Sequence, residues 1–233
     1  MLLIVNSLPK CGSTWFHNLI VGCLGALGYP SPHEAVHGFP VGLNARANPG
    51  AVDGRNLAAL LAAAQEQTFA IKAHQPPNES LLQALEAGAA RTVFLIRHPA
   101  AIVRSTLAFG DFCRRYPELE PGNPYAAILD DDQACDFVAP SINWALGWLA
   151  SSGRSVVARY EEVFSSEVPL LRAANRLHPD ITRVSKVLSQ RMRPDRLSDD
   201  DRRRYRVNLI HRPALSTTVL ARCEDWARQM GYS

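Results

Sequence analysis

Three short segments of this sequence hold residue types that bind anionic groups or move protons. The first is Pro9-Lys10-Cys11-Gly12-Ser13-Thr14-Trp15. A glycine-bearing loop between a strand and a helix turns free backbone N–H groups toward one point, and the helix dipole favours an anion there. Lys10 adds a cation, Ser13 and Thr14 add hydroxyl donors, and Gly12 lets the backbone come close to a ligand. This chemistry fits a 5′-phosphate. The segment is not a Walker A loop, because G-x-x-x-x-G-K-[S/T] is absent. Taken alone, an ordinary tight turn with a surface lysine explains it equally well.

The second segment is Lys72-Ala73-His74 at the end of an apolar run. Residues i and i+2 of a strand face one side, so Lys72 and His74 can converge. Histidine accepts a proton near neutral pH, and a nearby lysine neutralises charge building on a leaving phosphate. The third is Arg97-His98-Pro99, with Ser105 eight residues after the arginine. Arg97 ends a strand, where open α/β sheets bind ligands, and its guanidinium suits a phosphate. Ser105 then lies about two helical turns along. Each has a plainer reading: a loop histidine before Pro76 and Pro77, a surface arginine pairing with a carboxylate, a helix serine facing nothing. A fourth segment, Arg159-Tyr160-Glu161-Glu162, reads equally as a helix start with acids in its first turn.

The elements that must position these residues alternate. Leu2–Ser7, Thr68–Ala73, Arg91–Ile96 and Ser155–Arg159 read as strands. Trp15–Leu27, Leu57–Gln65, Leu81–Ala87, Pro99–Phe109, Phe137–Ser151 and Val219–Met230 read as helices. Ser31–Gly54 and Tyr116–Pro124 are rich in proline and glycine and read as loops over the site. The pattern predicts an α/β fold: a P-loop-NTPase-like central parallel β-sheet flanked by helices on both faces, as a single domain over residues 1–233. The run Asp130-Asp131-Asp132 reads as a helix start rather than a metal site. Trp144 and Trp148, four apart, read as core. Arg202, Arg203 and Arg204 form a basic patch.

Bulk properties narrow the function classes. The chain has 233 residues, 47% of them hydrophobic, with a net charge of +3. That supports a buried core and argues against a dedicated nucleic-acid binder. Cys11, Cys23, Cys113, Cys135 and Cys223 include no C-x-x-C pair, so reduced thiols are expected rather than zinc or a disulfide framework. Met1–Val5 lacks the basic start and length of a signal peptide, and no apolar run approaches the ~20 residues that span a bilayer. A cytoplasmic protein is expected.

P-K-C-G-S-T-W resembles the 5′-phosphosulfate loop of the sulfotransferase family, usually P-K-S-G-T-T-W. Cys11 replaces a serine and Ser13 a threonine. K-A-H is similar to the family's K-T-H, and R-H-P with Ser105 matches its R-[N/D/H]-P…S spacing. The resemblance spans roughly residues 1–162 and implies a cytosolic-type enzyme, of bacterial kind, using 3′-phosphoadenosine 5′-phosphosulfate (PAPS) without a metal. It implies that Lys10 touches the bridging oxygen and that residues Cys11 to Thr14 hold the 5′-phosphate. It also implies that Trp15 stacks on adenine with Tyr160 nearby, that Arg97 and Ser105 hold the 3′-phosphate, and that His74 is the base. The family's R-K-G segment is missing; Arg212 in His211-Arg212-Pro213 is its loose substitute. The acceptor is a small molecule or saccharide, and His33, His37, Phe39 and Phe109 fall in segments that can line its pocket. Two other functions fit the anion loop: a P-loop-like nucleotide or small-molecule kinase, and a non-catalytic nucleotide-binding protein.

Overall fold

A computed structural model describes residues 1–44, 47–151, 155–184 and 214–232. The chain opens on β1 (Leu2–Ser7), turns through Leu8–Gly12, and enters α1 (Ser13–Ala26). A short α2 (Pro32–Ala35) and α3 (Gly54–Glu66) lead into β2 (Phe69–Ala73). Then come α4 (Glu79–Glu86), β3 (Ala90–Ile96), α5 (Pro99–Arg115) and α6 (Asp131–Ala150). The edge strand β4 (Val156–Arg159) precedes α7 (Tyr160–Val163) and α8 (Glu167–Leu177), and α9 (Thr217–Gln229) is the last described helix. The basic patch at Arg202–Arg204 and the His211-Arg212-Pro213 segment lie outside the described residues.

The four strands form one parallel sheet in the order β2-β1-β3-β4. Every residue of β1 and of β2 is buried. Since successive side chains point to opposite faces, burial of all of them means helices cover both faces. The centre of the core is Leu2–Val5, Phe69, Phe94 and Trp148. Trp148 stacks on Phe94 at 5.4 Å, which places the Trp pair as core, with Trp144 packed at its margin.

Two helices run longer than the sequence pattern indicates. The helix starting at Pro99 continues past Phe109 and Gly110 to Arg115. Gly110 is no terminator: a Cβ there would sit 2.6 Å from the Tyr125 carbonyl, so glycine admits a chain crossing. The helix expected from Phe137 begins at Asp131, because the Asp130 side chain accepts from Gln133 N–H and caps it. The Ser31–Gly54 loop is anchored at one end by a capping box between Ser31 and Glu34. At the other end it meets the edge of β2, where Lys72 N–H donates to the Ala47 carbonyl at 3.0 Å.

Candidate functional site

The loop from Leu8 to Gly12 lies at the carboxyl ends of the central strands. Both Lys10 and Gly12 have positive φ, 64° and 77°. For lysine that is an uncommon conformation of the kind concentrated at ligand sites. Gly12 begins α1 without a side-chain cap, so the first-turn N–H groups have no acceptor inside the helix. Only glycine fits there. Beyond its φ, a Cβ would lie 2.6 Å from Phe164 Cζ and 2.9 Å from Tyr160 Cε2.

Side chains from β2 hold one flank of this loop. The Lys72 ammonium, 4% exposed, donates to the Thr14 hydroxyl at 3.1 Å. His74 Nδ1 lies 3.0 Å from the Ser7 carbonyl oxygen and 3.2 Å from the Ser7 hydroxyl. A carbonyl only accepts, so this geometry assigns the proton to Nδ1 and makes Nε2 the basic nitrogen of the ring. The backbone beside His74 is clamped as well. Asn6 Oδ1 accepts from Gln75 N–H at 3.2 Å, and Asn6 Nδ2 donates to the Gln75 carbonyl at 3.1 Å. The Trp148 indole donates to the same carbonyl at 3.0 Å. In turn the Gln75 side-chain oxygen accepts from Val52 N–H at 2.7 Å. His74 is therefore set between the last paired residue of β2 and a buried, fully bonded neighbour.

The other flank comes from β3, α7 and the C-terminal turn. Arg97 Nη1 donates to the Lys10 carbonyl at 3.0 Å, and the guanidinium lies 4.2 Å from the Tyr160 ring centroid. Among the described residues its buried Nε has no hydrogen-bond partner, a donor that suits an anion. Tyr160 stacks on Phe164 at 4.2 Å, and Phe164 meets Trp15 at 4.6 Å. Glu161 bridges this flank: one oxygen accepts from His98 N–H at 2.9 Å, the other from the Tyr232 hydroxyl at 3.2 Å. Burial and the Glu161 charge push the Tyr232 phenol pKa up, so it stays a donor. Arg159 packs on the Tyr232 ring at 4.6 Å and donates to the Gly231 carbonyl at 2.6 Å.

The remaining expected residues sit close by. The Lys10 ammonium lies 3.6 Å above the Phe109 ring centroid and 5.5 Å from that of Tyr125. Phe109 is on α5, one turn past the half-buried Ser105. Cys11 is buried with its thiol 3.6 Å from the Pro9 carbonyl. Burial pushes its pKa up against the opposing pull of Arg97, so it is a neutral packing group. His33 and His37 are exposed. The residues that sequence reasoning missed are Ser7, Asn6, Gln75, Phe164 and Tyr232. Only Phe164 had a local signal, an aromatic four residues after Tyr160.

No protein-family model matches the sequence, and no curated protein matches it. Solved structures do. Retinol dehydratase in complex with androsterone and the inactive cofactor PAP superposes with a TM-score of 0.55 at 12% identity, over 98% of this chain and 80% of that one. Mouse sulfotransferase SULT7A1 complexed with PAP gives a TM-score of 0.56 at 11% identity, over 100% of this chain and 85% of that one. The chain shares their fold.

Proposed function

We propose that this chain is a sulfotransferase moving a sulfuryl group from PAPS to a hydroxyl or amine of a small-molecule or carbohydrate acceptor. One observation carries the reading. The second and third of the segments with anion and proton chemistry hold the first and the strand end before it: Lys72 on Thr14, His74 on Ser7, Arg97 on Lys10. The shared fold with PAP complexes supports the nucleotide, and the androsterone in one of them supports a small-molecule acceptor.

In this reading the N–H groups from Cys11 to Thr14 hold the 5′-phosphate at the positive end of α1. Nε2 of His74 takes the acceptor proton as the acceptor oxygen or nitrogen bonds to sulfur. The bond from sulfur to the 5′-phosphate oxygen breaks, and its electron pair leaves with adenosine 3′,5′-bisphosphate. Lys72 and Lys10 balance the charge on that oxygen. Lys10 must first leave Phe109. A phosphate oxygen offers the ammonium a full opposite charge and a charge-assisted hydrogen bond in place of a ring quadrupole.

Arg97, through its unpartnered Nε, and Ser105 hold the 3′-phosphate. Trp15 stacks on adenine beside Tyr160. Among the described residues no helix is long and apolar enough to cross a membrane, and we place the enzyme in the cytoplasm as a single domain.

Calorimetric titration with adenosine 3′,5′-bisphosphate, ADP and 5′-AMP tests this. Arg97→Ala should weaken the bisphosphate by roughly 10–100-fold while leaving 5′-AMP nearly unchanged. Magnesium-dependent ADP binding with no preference for the bisphosphate would replace this reading with a kinase.

A further inference from the structure

A cleft of about 770 Å³ lies outside the site described above, between β3, β4 and α8. That volume is in the range of small-molecule pockets, about 300–1,000 Å³. Val163 and Ala173 are buried in its floor, and exposed Arg91, Arg172 and Arg176 line its rim. Arg172 and Arg176 are one turn apart on α8, so their charges face the same way and repel. Arg91 reaches the same region from β3, its Nη1 3.4 Å from the Leu177 carbonyl.

Among the described residues no carboxylate forms an ion pair with any of the three. Glu162 also lines the cleft, but it faces Arg159 at 3.9 Å. Among the described residues the buried Ser155 hydroxyl oxygen, on a lining residue, has no hydrogen-bond partner. Exposed guanidinium groups lining one cleft repel one another, and an oxyanion bound among them offsets that repulsion through charge-assisted hydrogen bonds.

We infer that this cleft is a second anion site, for a small molecule bearing two or more phosphate or sulfate ester groups. Guanidinium forks match such tetrahedral oxyanions, and the apolar floor takes the body of the molecule. The inference does not rest on the donor-site reading, since neither Arg97 nor the Leu8–Gly12 loop lines the cleft. The two regions meet at α7: Glu162 and Val163 face the cleft while Tyr160 crowds Gly12.

The test is titration with inorganic pyrophosphate and with a disulfated disaccharide, the donor loop saturated by adenosine 3′,5′-bisphosphate. The same titrations are run on Arg97→Ala without the nucleotide. One salt-sensitive binding event should survive in both. It should weaken roughly tenfold for each guanidinium removed in Arg172→Gln/Arg176→Gln. Arg91→Gln, on a different element, should weaken it independently. The tighter of the two probes names the ester class. No event, or one unchanged in all three arginine variants, overturns the proposal. So does an event that bisphosphate displaces and Arg97→Ala removes, because the probe is then occupying the donor loop. Failure of bisphosphate binding alone would count against the sulfotransferase reading and leave the cleft standing.

Discussion

The two flanks of the Leu8–Gly12 loop are built by different means. On the β2 side, His74 and its neighbour are held by directional hydrogen bonds of 2.7–3.2 Å to Ser7, Asn6, Trp148 and Val52. On the β3–β4 side, Arg97, Tyr160, Phe164 and Trp15 lie in a ring stack, tied at its exposed rim by Glu161. Directional bonds fix one atom's position and a histidine's tautomer, which proton transfer needs. Ring stacks tolerate small shifts, which suits a surface that must admit and release a nucleotide. If that division is real, changes on the β2 side should act on turnover and changes on the other side on binding.

The largest expected effect is that of His74→Ala. General-base loss costs about 10²–10⁴-fold in turnover. Single-turnover assays should show that loss while calorimetry finds bisphosphate affinity within about twofold of wild type. If affinity falls as steeply as turnover, His74 is a structural residue and the contrast collapses.

Gly12→Ala strikes where both flanks meet. The new Cβ would need φ near 77° and would press on Phe164 and Tyr160. Strain and overpacking together cost about 3 kcal/mol. Thermal unfolding should show a matching drop, with Trp15 fluorescence reporting a displaced Phe164. An unchanged midpoint would mean that α7 moves away freely, and the β3–β4 flank is then looser than its ring stack implies.

A pH experiment separates the interior beneath the β2 flank from the site itself. His17 is buried, its Nε2 3.1 Å from the Ala70 carbonyl, and burial lowers its pKa to about 4 from 6.5. The folded protein thus keeps His17 neutral, while the unfolded chain takes up a proton below 6.5. Stability from this group is complete above pH 6.5 and is lost as pH falls toward 4, by as much as ~3 kcal/mol. His17→Gln keeps a donor to Ala70 and should flatten denaturation midpoints measured across that window. A slope that survives the change belongs to other groups.

These contrasts also mark what was legible in the chain. The four strands were readable nearly to the residue because each is a largely apolar run bounded by turn residues, and the central parallel strands β1 and β3 are buried on both faces. The glycine loop, Lys72, His74 and Arg97 stand out in the sequence because each motif is local; that Lys72 meets Thr14, His74 meets Ser7 and Arg97 meets Lys10 is what the structure adds. Their fasteners do not stand out. Ser7 and His74 are 67 residues apart, and Glu161 and Tyr232 are 71 apart. No periodicity or spacing rule joins such pairs; only the strand register brings β1 beside β2, and only the packing of α9 returns Tyr232 to α7. The end of the helix from Pro99 was misjudged for a related reason, since Gly110 serves a contact with Tyr125 rather than its own helix.

The smallest expected effect tests the least legible of these fasteners. Tyr232→Phe removes one hydroxyl and keeps the ring against Arg159 and His98. Glu161 then loses the bond on one oxygen while the other still accepts from His98 N–H, the residue after Arg97. A single net hydrogen bond is worth about 1 kcal/mol, or roughly fivefold in affinity. If Glu161 positions Arg97, that fivefold should appear for adenosine 3′,5′-bisphosphate and be absent for 5′-AMP, which has no 3′-phosphate for Arg97 to hold. Restoring the donor by some other route should restore the preference. Equal losses for both nucleotides would make Tyr232 a packing residue of the C-terminal turn, and the binding flank would then owe its geometry to the ring stack alone.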